Sequence, residues 1–299
     1  MSKGYIKIIF SLLISSVCMG NKGLAAEDNS DIETLRRFAR SPTIRSTFPN
    51  EYPEGTSEKA PFNISIGPKE IKIAEQLMDE AELLLQQHAV NKNGYKLYNK
   101  HEDSIEHYKK DKDTIIYKFN HKIKNPDKYD DIIDVLWNPN IKYFGDRMIK
   151  EKIVCQYSPN LMMILHRYKN DAISFHGYYY ALAKKVQVSD DTTIIVYTSS
   201  DINDYNKVDK RKYTNTIVES ANLFKPRIYS EKDIINGELK KMFVNLSGFI
   251  IKKKPDFVDI TYIDSITINT PIIGNLLTEI IHSAQVQNIM RLSAIISKE

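Results

Sequence analysis

The chain lacks most of the residues that staple or anchor a small fold. It has two cysteines in 299 residues, and one of them, Cys18, falls in an apolar N-terminal stretch. Loss of that stretch would leave Cys155 with no internal partner, which excludes a disulfide framework. The fold must then rest on its core, as a domain of this size can. Glycine and proline number eleven each, too few for a collagen-like or low-complexity chain. Beyond residue 19 no apolar run approaches the ~20 residues of a membrane span. There is no G-x-S-x-G elbow, no Walker loop and no dinucleotide fingerprint, so the common hydrolase and nucleotide-binding signatures are missing.

What is present begins with a leader. Lys3 and Lys7 precede the apolar run Ile8 to Met19, and Gly20, Gly23, Ala25 and Ala26 follow it. This layout predicts a signal peptide over residues 1–25 and a secreted, soluble protein. Cleavage near Ala25 removes Lys3, Lys7 and Lys22, so 42 basic residues fall to 39 against 38 acids and the net charge falls from +4 to +1. The basic balance belongs largely to the leader, and a nucleic-acid partner loses its support. Residues 26–66 are polar, carry Pro42, Pro49, Pro53 and Pro61, and predict a disordered or extended linker. The run "KGLAAE" does not satisfy an Arg-x-Leu-x-acid export signature.

The folded domain is expected over residues 67–299. Gly67 and Pro68 open a helix whose stripe is Ile71, Ala74, Leu77, Met78, Ala81, Leu84 and Leu85. "GYKLYNK", "SIEHYKK" and "TIIYKFNHKI" alternate like antiparallel strands. Asn125 and Pro126 introduce a second helix with Tyr129, Ile132, Ile133, Leu136 and Trp137 on its stripe. Strands resume at Lys152–Tyr157, Leu161–Tyr168, Tyr178–Val188 and Thr192–Thr198. The hairpin "MFVNLSGFIIKKKPDFVDITYID" then carries large apolar side chains at both parities. Strict alternation puts Phe243, Phe249 and Ile251 on one face and Val244, Leu246 and Ile250 on the other. Exposed, each would forfeit roughly 1.5–3 kcal/mol, so both faces need cover. The last segment, from Pro271, is an amphipathic helix long enough to supply it. The reading is α+β: a curved antiparallel sheet wrapped around a long C-terminal helix, one domain without repeats.

These motifs carry a resemblance. "GYYYALAKKVQVSDDTTIIVYTSSD", "FVNLSGFIIKKKPDFVDITYIDS" and a Pro-led last helix resemble the START lipid-transfer domain. "AEQLMDEAELLLQQHAVNKNGYKLYNK", "YDDIIDVLWNPN", "SPNLMMILHRYK" and "IVESANLF" are similar to the fam-a proteins of rodent malaria parasites (Plasmodium), across roughly residues 67–297. The resemblance implies a helix-grip fold with an internal lipid cavity, no enzymatic activity, no cofactor, and carriage of a phosphatidylcholine-type phospholipid. It also implies transient membrane contact, a monomer, and a location in the parasitophorous vacuole or the host cell. The alternative is an exported antigen or host-interaction module that keeps the fold without transfer activity. A cyclase-like enzyme on the same fold lacks an identifiable acid/base pair.

Phosphatidylcholine-transfer members place an Arg three residues before the second-helix Trp and an Asp directly after it. Here Trp137 stands between Asp134 and Asn138, so the aromatic matches and the charges do not. Candidate lipid contacts are these three, Arg167, Tyr178, Tyr180, Asn245 and Phe249 from the strands, and Ile273, Leu277 and Ile280 from the covering helix. Arg167 is either an inward polar group or an exposed strand residue, and Tyr178, Tyr179 and Tyr180 either stack on a ligand or fill the core. His101 and His107 are six apart without an HExxH pattern, which argues against zinc. Cys155 reads as a buried, inert thiol. The sequon at Asn63 falls in the linker, and that at Asn245 in a strand, where glycosylation is not expected. Lysines at 207–212 and 252–254 are solvated turns that could also touch anionic membrane.

Overall fold

The Gly67–Pro68 start behaves as expected. Pro68 occupies the first helical turn, and the amides of Glu70 and Ile71 return to the Gly67 carbonyl at 2.9 and 3.2 Å. The computed structural model describes residues 66–138, 141–144, 147–268, 270 and 274–296. The expected leader and linker, Asn63, Pro271 and Ile273 lie outside the described residues. Helix α1, Pro68–Val90, buries Ala74, Leu77, Met78, Ala81 and Leu85 of the stripe read from spacing, with Ile71 and Leu84 half-buried at its margin. Strands β1 (Lys96–Lys100), β2 (Ser104–Asp111) and β3 (Thr114–Lys124) follow. The Asn125 side chain then accepts from the Asp127 amide at 3.0 Å, opening a 3-10 turn into α2, Tyr129–Trp137.

A second run of strands comprises β4 (Ile141–Phe144), β5 (Arg147–Ser158), β6 (Leu161–Asn170), β7 (Phe175–Ser189) and β8 (Thr192–Thr198). The edge strand β4 and the early start of β5 were not expected from the sequence. A long connection containing the short helix α3, Lys232–Ile235, leads to β9 (Lys240–Lys253), β10 (Phe257–Ile268) and the last helix α4, Gly274–Ile296. The ten strands form one sheet in the order β1-β2-β3-β10-β9-β8-β7-β6-β5-β4. Neighbours are antiparallel, and a short parallel contact joins Gly177 and Tyr178 of β7 to Lys240 and Lys241 of β9. Two meanders are thus joined where β10 pairs with β3. The chain between β3 and β4 crosses to the far edge, and on the way α2 rests on β9 and against α4.

Each face of the sheet has its own cover. On the outer face, α1 packs with Leu246, Ile250, Ile263, Ile194, Val196 and Leu182. On the inner face, α2 and α4 pack with Ile195, Ile251, Val258, Ile260 and Tyr262, and α4 continues onto Val244, Ile266 and Ile268. At about 1.5 Å per residue α4 is roughly 34 Å long, enough to cross several strands. The hairpin's two apolar faces are therefore explained by two different helices.

The strict alternation expected for β9 does not hold. Ser265 pairs with Leu246 and Ile266 with Val244, so Asn245 is an extra residue in β9, a β-bulge. The bulge exchanges parity: Val244 joins the inner face beside Leu277, while Phe243 stacks on Tyr213 of the long connection at 5.3 Å. Val244 thus leaves the face of Leu246 and Ile250, and Phe243 leaves that of Phe249 and Ile251.

Gly248 sets how closely α1 approaches. A Cβ there would stand 2.3 Å from the Ile195 carbonyl oxygen and 3.0 Å from the Leu85 side chain. Gly248→Ala is expected to lower stability by about 1–3 kcal/mol in urea unfolding. Gly67→Ala, where an added Cβ meets nothing, should cost less than about 1 kcal/mol.

Candidate functional site

The inner face combines bulky aromatics with two small residues. On β7, Ala181 and Ala183 lie beside Met162 and Ile164 of β6, and Trp137, from the end of α2, packs against this group with Ile153, Tyr179 and Tyr197. Trp137 faces the Lys185 ammonium at 5.4 Å from its ring centroid. The Tyr197 hydroxyl donates to the Leu136 carbonyl at 3.4 Å, and Phe249 stacks on Tyr262 at 4.8 Å.

Tyr179 and Tyr197 lie deep in the protein, where burial holds both phenols well above the ordinary range. Both nevertheless keep accessible surface, as do Trp137, Ile153 and Phe249. Accessible surface on such deeply placed side chains is what a hollow between sheet and helices would give, and the small Ala181 and Ala183 side chains on the same face would leave room for one.

Polar groups are built into this apolar surface in two places. Next to Tyr179, His166 stacks on its ring at 4.5 Å and meets the Glu151 carboxylate through Nδ1 at 2.7 Å. Burial, together with the Glu151 charge, holds the Tyr179 phenol far above the ordinary range, so it stays protonated. The second place ties α4 to the sheet. His282 meets Glu106 of β2 through Nε2 at 2.8 Å and Asp264 of β10 through Nδ1 at 3.3 Å, and it stacks on Tyr117 at 4.0 Å. All three members are buried, at 1, 7 and 1% side-chain exposure for His282, Glu106 and Asp264. Burial alone would lower the His282 pKa, but hydrogen bonds and charge from Asp264 and Glu106 outweigh it and raise it above 6.5. One imidazolium bonded to two carboxylates thus latches the helix to two strands.

The candidate residues divide between the two faces. Trp137, Phe249 and Leu277 are on the inner side, where Leu277 packs with Val244, Ile266 and Ile281. Asn138 is buried directly after Trp137, Asp134 is exposed on α2, and Ile280 is half-buried on α4. Arg167, Tyr178, Tyr180 and Asn245 belong to the outer side. The Arg167 guanidinium donates to both Asp233 oxygens at 2.6 and 2.9 Å and to Glu231. The Tyr178 hydroxyl donates to Asp204 at 2.7 Å, and that of Tyr180 to Ser230 at 3.2 Å. The Asn245 amide donates to Thr267 at 2.9 Å, while its carbonyl accepts from Asn215 and Thr198. The sheet itself separates the first group from the second.

The sequence does not single out Glu151, His166, Tyr197 or His282, and it offers Tyr179 only together with Tyr178 and Tyr180. Parity was the available signal. His166 shares it with Met162 and Ile164, and Tyr179 with Ala181 and Ala183. Cys155 is a free thiol, and burial pushes its pKa up to about 11, as expected of an inert group.

The sequence matches no protein-family model and no curated protein. Solved structures do match. Human StAR-related lipid transfer protein 5 superimposes with a TM-score of 0.51 at 11% identity, over 76% of this chain and 97% of that one. Human STARD10 covers 73% of this chain and 78% of its own, at 10% identity and a TM-score of 0.49. The first of these likenesses establishes the fold: a START-type helix-grip, a curved antiparallel sheet closed over its C-terminal helix.

The latch makes a prediction about pH. A group whose folded pKa is raised stabilises fully below its unfolded value, here 6.5, and loses that contribution as pH climbs through the folded value. His282→Gln leaves two buried carboxylates without a counter-charge and should cost about 3–5 kcal/mol at pH 6. The difference from wild type should shrink towards pH 9. Urea unfolding at both pH values, with an NMR titration of the imidazole, measures this; a His282 midpoint at or below 6.5 would contradict it.

Proposed function

We propose that this protein is a non-enzymatic lipid carrier that holds a phospholipid in the hollow between sheet and α4. The observation that carries the reading is the accessible surface of the deeply placed Tyr179 and Tyr197 side chains. A hollow lined by aromatics and alanines favours hydrocarbon, since burying apolar surface contributes roughly 25 cal/mol per Å². Its polar groups, the Glu151–His166 pair and the Tyr179 phenol, supply a small number of hydrogen-bonding positions for a polar end. Trp137, with Lys185 over its ring, lies at the rim formed by α2.

The fold comparison supports the same reading, because human StAR-related lipid transfer protein 5 is named for lipid transfer. The motif resemblance to the fam-a proteins points to a phosphatidylcholine-type ligand and to a monomer secreted into the vacuole or host cell. Asp134 and Asn138, flanking Trp137 where phosphatidylcholine carriers have Arg and Asp, make the lipid panel the informative part of the test.

The mature chain is expected to carry labelled phosphatidylcholine between donor and acceptor vesicles faster than a protein-free control, with phosphatidylserine and sterol run in parallel. Mass spectrometry of an organic extract should find lipid bound to the purified protein. Leu277→Asp and Ile280→Asp put a charge on the covering helix, at a cost of several kcal/mol where it is buried. Both variants should lose bound lipid while circular dichroism retains the sheet signal. Full loading in both would remove α4 from the site. Neither transfer nor bound lipid in the wild type would leave the fold as a scaffold for protein contact.

A further inference from the structure

We infer that the loop formed by residues 203–213 is a docking surface for anionic lipid membrane. Its two acids point inward and are already engaged. Asp204 is buried, accepting from the Tyr178 hydroxyl and pairing with the Lys241 ammonium at 2.9 Å. Asp209 accepts from Arg211 at 2.6 and 2.9 Å and from the Tyr213 hydroxyl at 2.8 Å. Its cations point outward: Lys207, Lys210 and Lys212 are exposed and make no ion pair among the described residues. The same loop holds two large apolar side chains in solvent, Tyr205 at 56% and Val208 at 70% exposure.

The presentation is held in place from below. Asn206 accepts from the amides of Val208 and Asp209 at 2.9 and 2.8 Å, and its amide group donates to the Tyr178 hydroxyl. Tyr205 adopts φ 58, a left-handed conformation uncommon outside glycine, with its amide bonded to Asn203. An aromatic, an aliphatic and three unpaired lysines on a pinned loop match the chemistry of a negatively charged bilayer surface. The side chains reach the headgroup boundary while the ammonium groups meet lipid phosphates and carboxylates.

Position supports the assignment. The loop is anchored on Lys241, adjacent to Met242, which pairs with Ile268 at the end of β10. Helix α4 begins at Gly274, where an added Cβ would stand 2.4 Å from the Ile268 carbonyl oxygen. Loop and helix start thus share one end of the sheet. The inference deepens the carrier reading by naming where the protein meets a membrane. Its test reads attachment alone, so the two readings fail separately.

The test is sedimentation with sucrose-loaded vesicles of phosphatidylcholine, with and without about 30% phosphatidylserine to supply the anionic surface potential. Wild type should bind the anionic vesicles and not the neutral ones. The triple variant Lys207→Gln, Lys210→Gln, Lys212→Gln should lower partitioning on the order of 100-fold at low salt, about fivefold per lysine. About 0.5 M salt should bring wild type down to the variant's level, because exposed charges are then screened. Tyr205→Ser with Val208→Ser should weaken the salt-resistant remainder. Lys69→Gln, Lys72→Gln, Lys92→Gln removes equal charge from other exposed sites and should leave binding within about threefold, since surface attraction fades within a Debye length. Equal loss in both triple variants, unchanged binding in the loop variant, no preference of wild type for anionic vesicles, or retention on heparin without vesicle binding would each overturn the assignment.

Discussion

The structure depends on a sheet that has no polar face. Through β9 and β10, large apolar side chains occupy both parities, and neither side can be left in water. One helix cannot cover both. The chain meets this constraint with α1 on the outside and α4, assisted by α2, on the inside. The crossing of α2 between the two meanders follows from the same need, since it brings a third apolar element onto the inner side.

The two covers differ in kind. The outer one is close-packed and seats the Leu85 side chain of α1 against Gly248. The inner one is fastened by a charged latch, and the aromatic surface beside it is only partly covered. A buried ion triad contributes little net stability compared with apolar packing, but it fixes a single register for the helix it holds. His282 can satisfy Glu106 and Asp264 only when α4 lies in one place along the sheet. The latch sets the position of α4, while the aromatic surface beside it stays partly accessible.

Much of the fold was legible in local patterns. The α1 stripe, the strands from Lys96 to Lys124 and the Asn125–Pro126 helix start follow from periodicity and capping, which act over a few residues. The facing of the strands was not legible, because alternation identifies a face only when the other face is polar. With both faces apolar, Tyr178 and Tyr180 were as plausible as Tyr179, and a single bulge at Asn245 reversed the assignment upstream of it. The latch was out of reach for a different reason: Glu106 and His282 are 176 residues apart, and each alone looks like a solvated polar residue. Arg167 had a clear local context, yet its partners Glu231 and Asp233 come from the long connection before β9.

The bulge at Asn245 also bears on which changes in chain length this protein can survive. Its extra residue puts the two ends of β9 in opposite phase, so Phe243 serves the outer core while Val244 serves the inner one. Deleting one residue there, or inserting another, would turn every upstream side chain of the strand through half a pleat and exchange the surroundings of the outer core for those of the inner one. The Asn245 side chain and carbonyl, bonded to Thr267, Asn215 and Thr198, hold that phase in place. Indels are tolerated in loops whose neighbours do not count residues. In β9 the count itself carries information, and the strand is closed to length variation even where its individual side chains can change.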